Sequence, residues 1–192
     1  MRSATPRLEP TIHTERLVLR PIGEGDLDDL VAEVNDYDVA RMTARIPHPY
    51  RMKDARAYFA AVQRRPLSPP MGAVSLTIAE DGKLIGGISL FSMPHRTELG
   101  YWLGRTHWGR GFATEAGRAL LDYGFRVLDV PLVHCRVALD NPASAAVQRK
   151  LGFRRVGFDV GRSLARGADV EHIHSVLTAG AFRAAGLRLK RA

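Results

Sequence analysis

The sequence predicts an α/β (α+β) fold whose elements follow the order β-α-α-β-β-β-α-β-α-β-β. Three stretches carry that prediction. Residues 98–128 read as a strand, a glycine-bearing turn and a long amphipathic helix. Asp81-Gly82 separates two strand-like runs, residues 73–79 and 84–91, as a hairpin turn does. Asn141-Pro142 follows another strand-like run, 132–139, and places an N-cap before a proline in the first helical position. At 192 residues the chain has the length of one domain. Residues 13–178 form that domain, with a flexible lead-in at 1–12 and a basic C-terminal tail at 179–192.

The lead-in is polar and contains proline, and the first strand, residues 17–20, ends at Pro21. Asp26 is placed to cap a helix carrying Leu27, Leu30, Val31 and Val34 on one face. Periodicity is lost over 35–50, where Pro47 and Pro49 fall, and a second helix follows with Ala55, Tyr58, Phe59 and Val62. Pro66, Pro69 and Pro70 mark a loop ahead of the strand-rich part. Strands 73–79, 84–91 and 99–103 make an antiparallel meander, its second loop holding Met93-Pro94-His95-Arg96. In the central helix Ala113, Ala116, Gly117, Leu120, Leu121, Phe125 and Leu128 recur at three and four, with Arg118, Asp122 and Arg126 on the other side. The helix 142–151 stops at Gly152, and strands near 155–160 and 171–177 close the sheet. Arg183, Arg188, Lys190 and Arg191, with no acidic partner after Glu171, read as a solvated tail.

In the central turn Gly109 and Gly111 remove two Cβ atoms, so the backbone can approach a ligand and aim successive N–H groups at one point. That point is a helix N-terminus, where unpaired N–H groups and the macrodipole favour an anion such as a diphosphate. The same Gly-x-Gly pair also suits a plain strand-to-helix turn. No Gly-Lys-Ser/Thr follows, so it is not a P-loop. The third glycine and downstream acidic residue of a Rossmann fingerprint are missing as well.

Glu98-Leu99-Gly100-Tyr101-Trp102-Leu103, followed by Trp108-Gly109-Arg110-Gly111-Phe112-Ala113-Thr114-Glu115-Ala116, resembles the pyrophosphate motif of the GNAT superfamily of acyl-CoA-dependent N-acetyltransferases, in its RimJ/RimL-like form. The general pattern Gln/Arg-x-x-Gly-x-Gly/Ala is met at Gly111, Phe112 and Ala113 and departs at Trp108, where that branch usually has an aromatic. The phrase Thr14-Glu15-Arg16-Leu17-Val18-Leu19-Arg20-Pro21 and the segment from Asn141 through Ser144, Lys150, Gly152 and Phe153 resemble the same branch, so the resemblance spans about residues 14–178. It implies a mixed, strongly twisted sheet with helices on both faces. It also implies that strands 99–103 and 132–139 diverge to admit acetyl-CoA as co-substrate. The backbone of Trp102, Leu103 and Gly104 would pair with the pantetheine arm, and an amide near Leu103 would polarise the thioester carbonyl. The N–H groups of Gly109, Arg110, Gly111, Phe112, Ala113 and Thr114 would hold the pyrophosphate.

The implied reaction is direct attack of a primary amine on acetyl-CoA, without a metal. Glu98 is the candidate general base, acting through water; support of its strand or binding of the ammonium are its other readings. Ser144 is the implied proton donor to the leaving thiolate, and Asn141 positions the cofactor or a water, although helix capping alone accounts for both. Asn141 and Ser144 thereby also belong to the cofactor site. Tyr101 is an alternative donor whose direction depends on strand register. The implied acceptor is a protein N-terminus of the ribosomal-protein kind. The alternatives are a small amine (polyamine, antibiotic or amino acid), which calls for a closed acidic pocket near the N-terminal helices, and a CoA-binding or ribosome-associated module without catalysis.

Other residues have plainer readings. Cys135 in a strand-like run is a core residue, and His172 and His174 share a strand face but lack the third ligand of a catalytic zinc. His107 and Trp108 touch or cover the cofactor, and Arg149, Lys150, Arg154 and Arg155 meet its ribose phosphate or simply face solvent. The net charge of +8 suits an anionic cofactor, and no nucleic-acid recognition motif accompanies it. A single cysteine excludes an internal disulfide and points to a reducing compartment. With no transmembrane-length apolar run and no signal-peptide core, the expected location is the cytoplasm, away from membranes. An unpaired sheet edge leaves room for a homodimer.

Overall fold

The computed structural model describes residues 10–64, 74–93 and 96–186. The expected loop at Pro66, Pro69 and Pro70, the lead-in before residue 10, Pro94, His95, and tail residues Arg188, Lys190 and Arg191 lie outside these. The strands are β1 (Ile12–His13), β2 (Val18–Arg20), β3 (Val74–Glu80), β4 (Lys83–Met93), β5 (Arg96–Leu103), β6 (Leu132–Ala138), β7 (Arg154–Ser163) and β8 (Ala168–Thr178). The helices are α1 (Leu27–Val34), α2 (Tyr37–Ala40), α3 (Met52–Gln63), α4 (Phe112–Arg126), α5 (Pro142–Lys150) and α6 (Ala179–Ala184). β1 and the short α2 were not foreseen, each being too brief to set up a hydrophobic period.

One eight-stranded sheet runs β1-β2-β3-β4-β5-β6-β8-β7. All neighbours are antiparallel except β5 and β6. Asp81 (φ 49°) and Gly82 (φ 82°) make the β3–β4 turn with both central residues left-handed, the conformation that matches strand twist in a two-residue hairpin. Helices cover both faces of the sheet. Adjacent side chains in β4 point to opposite faces, so Leu84 joins Leu27, Leu30, Val34, Ala55 and Val62 of α1 and α3. Ile85 joins Phe112, Leu120, Leu121 and Phe125 of α4 on the other side. α4 lies close to its neighbours: a Cβ at Gly117 would come 2.7 Å from Leu151, and one at Gly124 would come 2.6 Å from Leu90.

β5 pairs with β4 along its whole length, from Arg96 opposite Met93 to Leu103 opposite Gly86. Its contact with β6 stops after two pairs, Thr97 with Val133 and Glu98 with His134. β6 then follows β8 as far as Ala138 opposite His172. A wedge therefore opens between the second half of β5 and the second half of β6, as the family resemblance implies.

Two local expectations are corrected. Asp26 stands at the N-cap of α1 without capping it, because its carboxylate receives Arg20 Nη1 and Nη2 at 2.6 and 2.7 Å and the Gly23 N–H at 2.7 Å. A bidentate charged partner takes the oxygens that a cap would need. The tail expected from residue 179 opens instead as α6, capped by Thr178 Oγ1, which accepts from the Ala181 N–H at 3.1 Å. Its Phe182 is 1% exposed and meets the Phe125 ring at 5.2 Å, so the packed domain runs past residue 178.

Phe182→Ala should lower the unfolding free energy by about 3–5 kcal/mol in a denaturant titration, the usual loss for a buried aromatic. A solvated tail would leave the midpoint unchanged.

Candidate functional site

The wedge is the throat of a cavity of about 910 Å³ lined by Glu98, Leu99, Tyr101, Trp102, Cys135, Arg136 and Ser144, among others. The predicted site residues Leu103, Gly109, Gly111, Phe112, Ala113, Thr114 and Asn141 also line it. Gly104 and Arg110 do not, and the structure shows why. A Cβ at Gly104 would overlap the Glu33 carboxylate, so this glycine makes room for α1, and its N–H donates to Ile85 O at 2.9 Å. The Arg110 guanidinium clasps the Glu80 carboxylate at 2.6 and 3.0 Å. A third expected contact, the Leu103 carbonyl, already accepts the Trp108 indole N–H at 2.8 Å.

Gly109 (φ 74°) and Gly111 (φ 84°) are both left-handed, and no atom lies within 4 Å of a Cβ built on Gly109. In this structure backbone conformation, not crowding, calls for glycine there. Gly111 is the N-cap of α4 and has no side chain to offer. Its carbonyl accepts from Thr114 and Glu115 N–H at 3.1 Å each, while the N–H groups of Phe112 and Ala113 precede that ladder and face out of the helix end. The turn is braced from behind. Glu115 accepts from Thr14 Oγ1 at 2.7 Å, from Arg16 N at 2.9 Å, and from Arg16 Nε and Nη2 at 2.8 and 2.6 Å. Arg16 Nη1 donates to Arg110 O at 3.0 Å, and both guanidiniums lie over the buried Phe112 ring at 4.6 and 4.4 Å. Burial works against the Glu115 charge, but the Thr14 and Arg16 hydrogen bonds outweigh it and hold the carboxyl below its ordinary range. Thr14 and Arg16 stand in the opening phrase of the sequence, which betrays nothing of this role.

Asn141 Oδ1 accepts the Ser144 N–H at 3.0 Å, with Pro142 in the first turn, so the expected capping is present. Across the wedge Tyr101 Oη lies 2.6 Å from Ser144 Oγ and donates toward Ser144 O at 3.2 Å. The register that was open from sequence therefore turns Tyr101 toward Ser144. Burial raises the phenol pKa well above its ordinary value, so Tyr101 stays protonated. Glu98 is 5% exposed and meets two guanidiniums: Arg136 Nε donates to Oε1 at 3.0 Å, and Arg96 Nη2 lies 3.4 Å from Oε2. Arg136 went unmarked in the sequence because it belongs to no motif.

The aperiodic stretch 35–50 forms one wall. Its neck is tied where Asn35 Oδ1 accepts the Tyr50 N–H at 2.8 Å. Its middle is tied to the β7–β8 hairpin: Leu164 N donates to Ala44 O at 3.1 Å, Ser163 Oγ to Thr43 O at 3.2 Å, and Arg166 Nε to Arg41 O at 2.8 Å. Arg166 also grips Asp140, next to Asn141, with two bonds of 2.9 Å. Among the described residues the acids lining the cavity are Asp54 and Glu98, whereas Arg45, Arg136, Lys150 and Arg162 line it too.

Cys135 is a core residue whose Sγ accepts from Gln148 Nε2 at 3.0 Å, and burial pushes its thiol up to about 12. The two β8 histidines separate: His174 stacks on His134 with ring nitrogens 2.9 Å apart, and His172 sits 3.9 Å from Asp159. Among the described residues no group of three or more His, Cys, Asp or Glu could hold a metal, and no helix is long and apolar enough to cross a membrane. His107 lies between Glu33 and Glu80 at 3.5 and 3.8 Å. Of the basic group Arg149, Lys150, Arg154 and Arg155, only Lys150 lines the cavity.

The chain matches the Acetyltransferase (GNAT) domain family over residues 16–154. It is 32% identical to the N-acetyltransferase p20 of Bacillus licheniformis over 150 residues, which covers 77% of this chain and 84% of p20. In architecture it resembles RimJ of Mycobacterium smegmatis, solved with CoA-disulfide (TM-score 0.78, 19% identity, 93% and 95% of the two chains). It also resembles a spermidine N-acetyltransferase of Vibrio cholerae, solved with CoA and spermine (TM-score 0.72, 19% identity, 88% and 99%).

With its thiol raised to about 12, Cys135 is thiolate in only about one molecule in ten thousand at pH 8. A thiol reagent should leave the native protein unlabelled at that pH and label one equivalent after unfolding. Because the shift is upward, labelling of the native protein should lag that of the unfolded chain at every pH below about 12.

Proposed function

Because the chain belongs to the GNAT acetyltransferase family and is an acetyl-CoA-dependent N-acetyltransferase, we propose that its acceptor is the α-amine of a peptide or protein N-terminus. The charge of the cavity carries this reading. A polyamine needs several carboxylates around it, whereas Asp54 and Glu98 are the acids here among the described residues and Glu98 is held by two guanidiniums. Relatives differ on this point, and the Escherichia coli spermidine N(1)-acetyltransferase matches over only 38% of this chain. An α-amine also asks least of a base. At pKa about 7.8 it is roughly a tenth neutral at pH 7, against about one in 2,500 for a lysine amine near 10.4.

In this reading acetyl-CoA lies in the wedge, its pyrophosphate on the N–H groups of Phe112 and Ala113, where the α4 dipole favours negative charge. The wedge-facing backbone of β5 receives the pantetheine amides in place of the β6 strand that has left it. The neutral amine adds to the thioester carbonyl, a strand N–H holds the oxyanion, and the C–S bond then breaks. Ser144 Oγ–H gives its proton to the departing thiolate and is reprotonated from solvent through Tyr101 Oη, 2.6 Å away, which takes up one proton as it passes one on and so ends neutral. The proton lost by the amine passes to solvent. Cytoplasmic location accords with this chemistry, which needs intracellular acetyl-CoA.

The test is thiol release from acetyl-CoA with N-terminal peptides, free amino acids, spermidine and aminoglycosides. Peptides should turn over best, and Ser144→Ala should lower kcat by about 10²-fold with cofactor affinity kept. Faster turnover of spermidine would overturn the acceptor assignment, and binding without turnover on any amine would favour a CoA-binding module.

A further inference from the structure

We propose that Glu98 and Arg136 form an ion-paired clasp at the apex of the wedge, and that Arg136 is a positioning residue that sets the opening for acetyl-CoA. The inference rests on the acetyltransferase reading but is independent of the acceptor.

Glu98 belongs to the last residue pair that joins β5 to β6, opposite His134. Arg136 is two positions further along β6 and therefore presents its side chain on the same sheet face. Where the backbone ladder has ended, its Nε reaches back to Glu98 Oε1 at 3.0 Å. Its other arm points the opposite way, with Nη1 3.8 Å from Asp159 Oδ2 on β7. One guanidinium thus links β5, β6 and β7 at the level where the first two part. Arg96 closes the far side of the carboxylate, 3.4 Å from an Oε2 that is buried and makes no hydrogen bond.

Of the neighbouring histidines, His134 feels the Glu98 charge, but neither ring bonds to that carboxylate. His134 faces His174, and His172 faces Asp159. Burial is the largest cause lowering both His134 and His172 from their ordinary values, so both are neutral near pH 7. With both carboxylate oxygens turned to guanidiniums, Glu98 is arranged to hold strands rather than to collect a proton. Removing Arg136 leaves the buried Glu98 carboxylate with Arg96 alone, and removing the Glu98 charge leaves Arg136 with Asp159 alone, so either change breaks the bond that spans the parting strands. The strands then relax at the point that fixes the width of the throat.

The decisive comparison is acetyl-CoA affinity by calorimetry, together with the pH profile of kcat, for the full-length protein, Glu98→Gln, Arg136→Gln, the double variant and Arg136→Lys. A clasp predicts that each single glutamine variant weakens acetyl-CoA binding by about tenfold and that the double variant is no weaker than the worse single. It further predicts partial recovery in Arg136→Lys and, for Glu98→Gln, a kcat–pH profile that keeps the parent's apparent pKa whatever its height. If Arg136→Gln fails to fold, Glu98→Gln and Arg136→Lys carry the same comparison. Unchanged affinity in Glu98→Gln with loss of kcat and of its pH dependence would overturn the clasp and make Glu98 the base. Arg136→Gln binding like the parent would also overturn it. Failure of the parent protein itself to bind acetyl-CoA would remove the acetyltransferase reading beneath both.

Discussion

The site depends on a ladder that stops early. β5 is secured to β4 over eight residue pairs and to β6 over two, so half of one edge of β5 lies beside a cavity instead of a strand. Burying backbone N–H and C=O groups without partners costs free energy. An extended chain bearing amides, such as pantetheine, can replace the missing strand. In the proposed binding mode this is strand addition with a small molecule as the added strand.

Around that gap the protein divides its labour by atom type. At the start of α4 the available donors are main-chain groups, while the nearby side chains serve the fold. Arg110 holds Glu80, Arg16 holds Glu115, Phe112 is buried under both guanidiniums, and the empty side of Gly104 is filled by Glu33. These contacts keep a turn with two left-handed glycines in one shape before any ligand arrives, which reduces the ordering cost of binding. Over residues 35–50 side chains line the cavity wall, on a stretch with little regular structure of its own. Its stability comes from Asn35 at the neck and from the β7–β8 hairpin at the middle, and Arg166 links that wall to Asp140 beside the cap of α5. This wall of the cavity and the helix bearing Ser144 are therefore mechanically joined.

What could be read in the sequence was what neighbouring residues decide among themselves. Asp81-Gly82 demands a left-handed pair, Gly109 and Gly111 suit left-handed turns, and Asn141-Pro142 with Gly152 brackets a helix, because each signal arises within a few residues of backbone. Even local signals failed where a distant or charged partner intervened. Asp26 looked like a cap and became the counter-ion of Arg20, and Phe182, set in a basic segment that resembled a tail, found Phe125.

The sequence by itself therefore determined the element order, the glycine turn, the α5 cap and, through motif resemblance, the family of the chain, since all of these are written in short-range spacing. Tertiary structure alone decided that Tyr101 reaches Ser144 from 43 positions away and that Glu98 is engaged by Arg136 from 38 positions away. It also decided that residues 35–50 are tied to the β7–β8 hairpin. These depend on strand register and on where two strands part, and a one-residue slip reverses the face of every side chain involved. No window of local sequence contains that information, because the partners meet only after the sheet has formed.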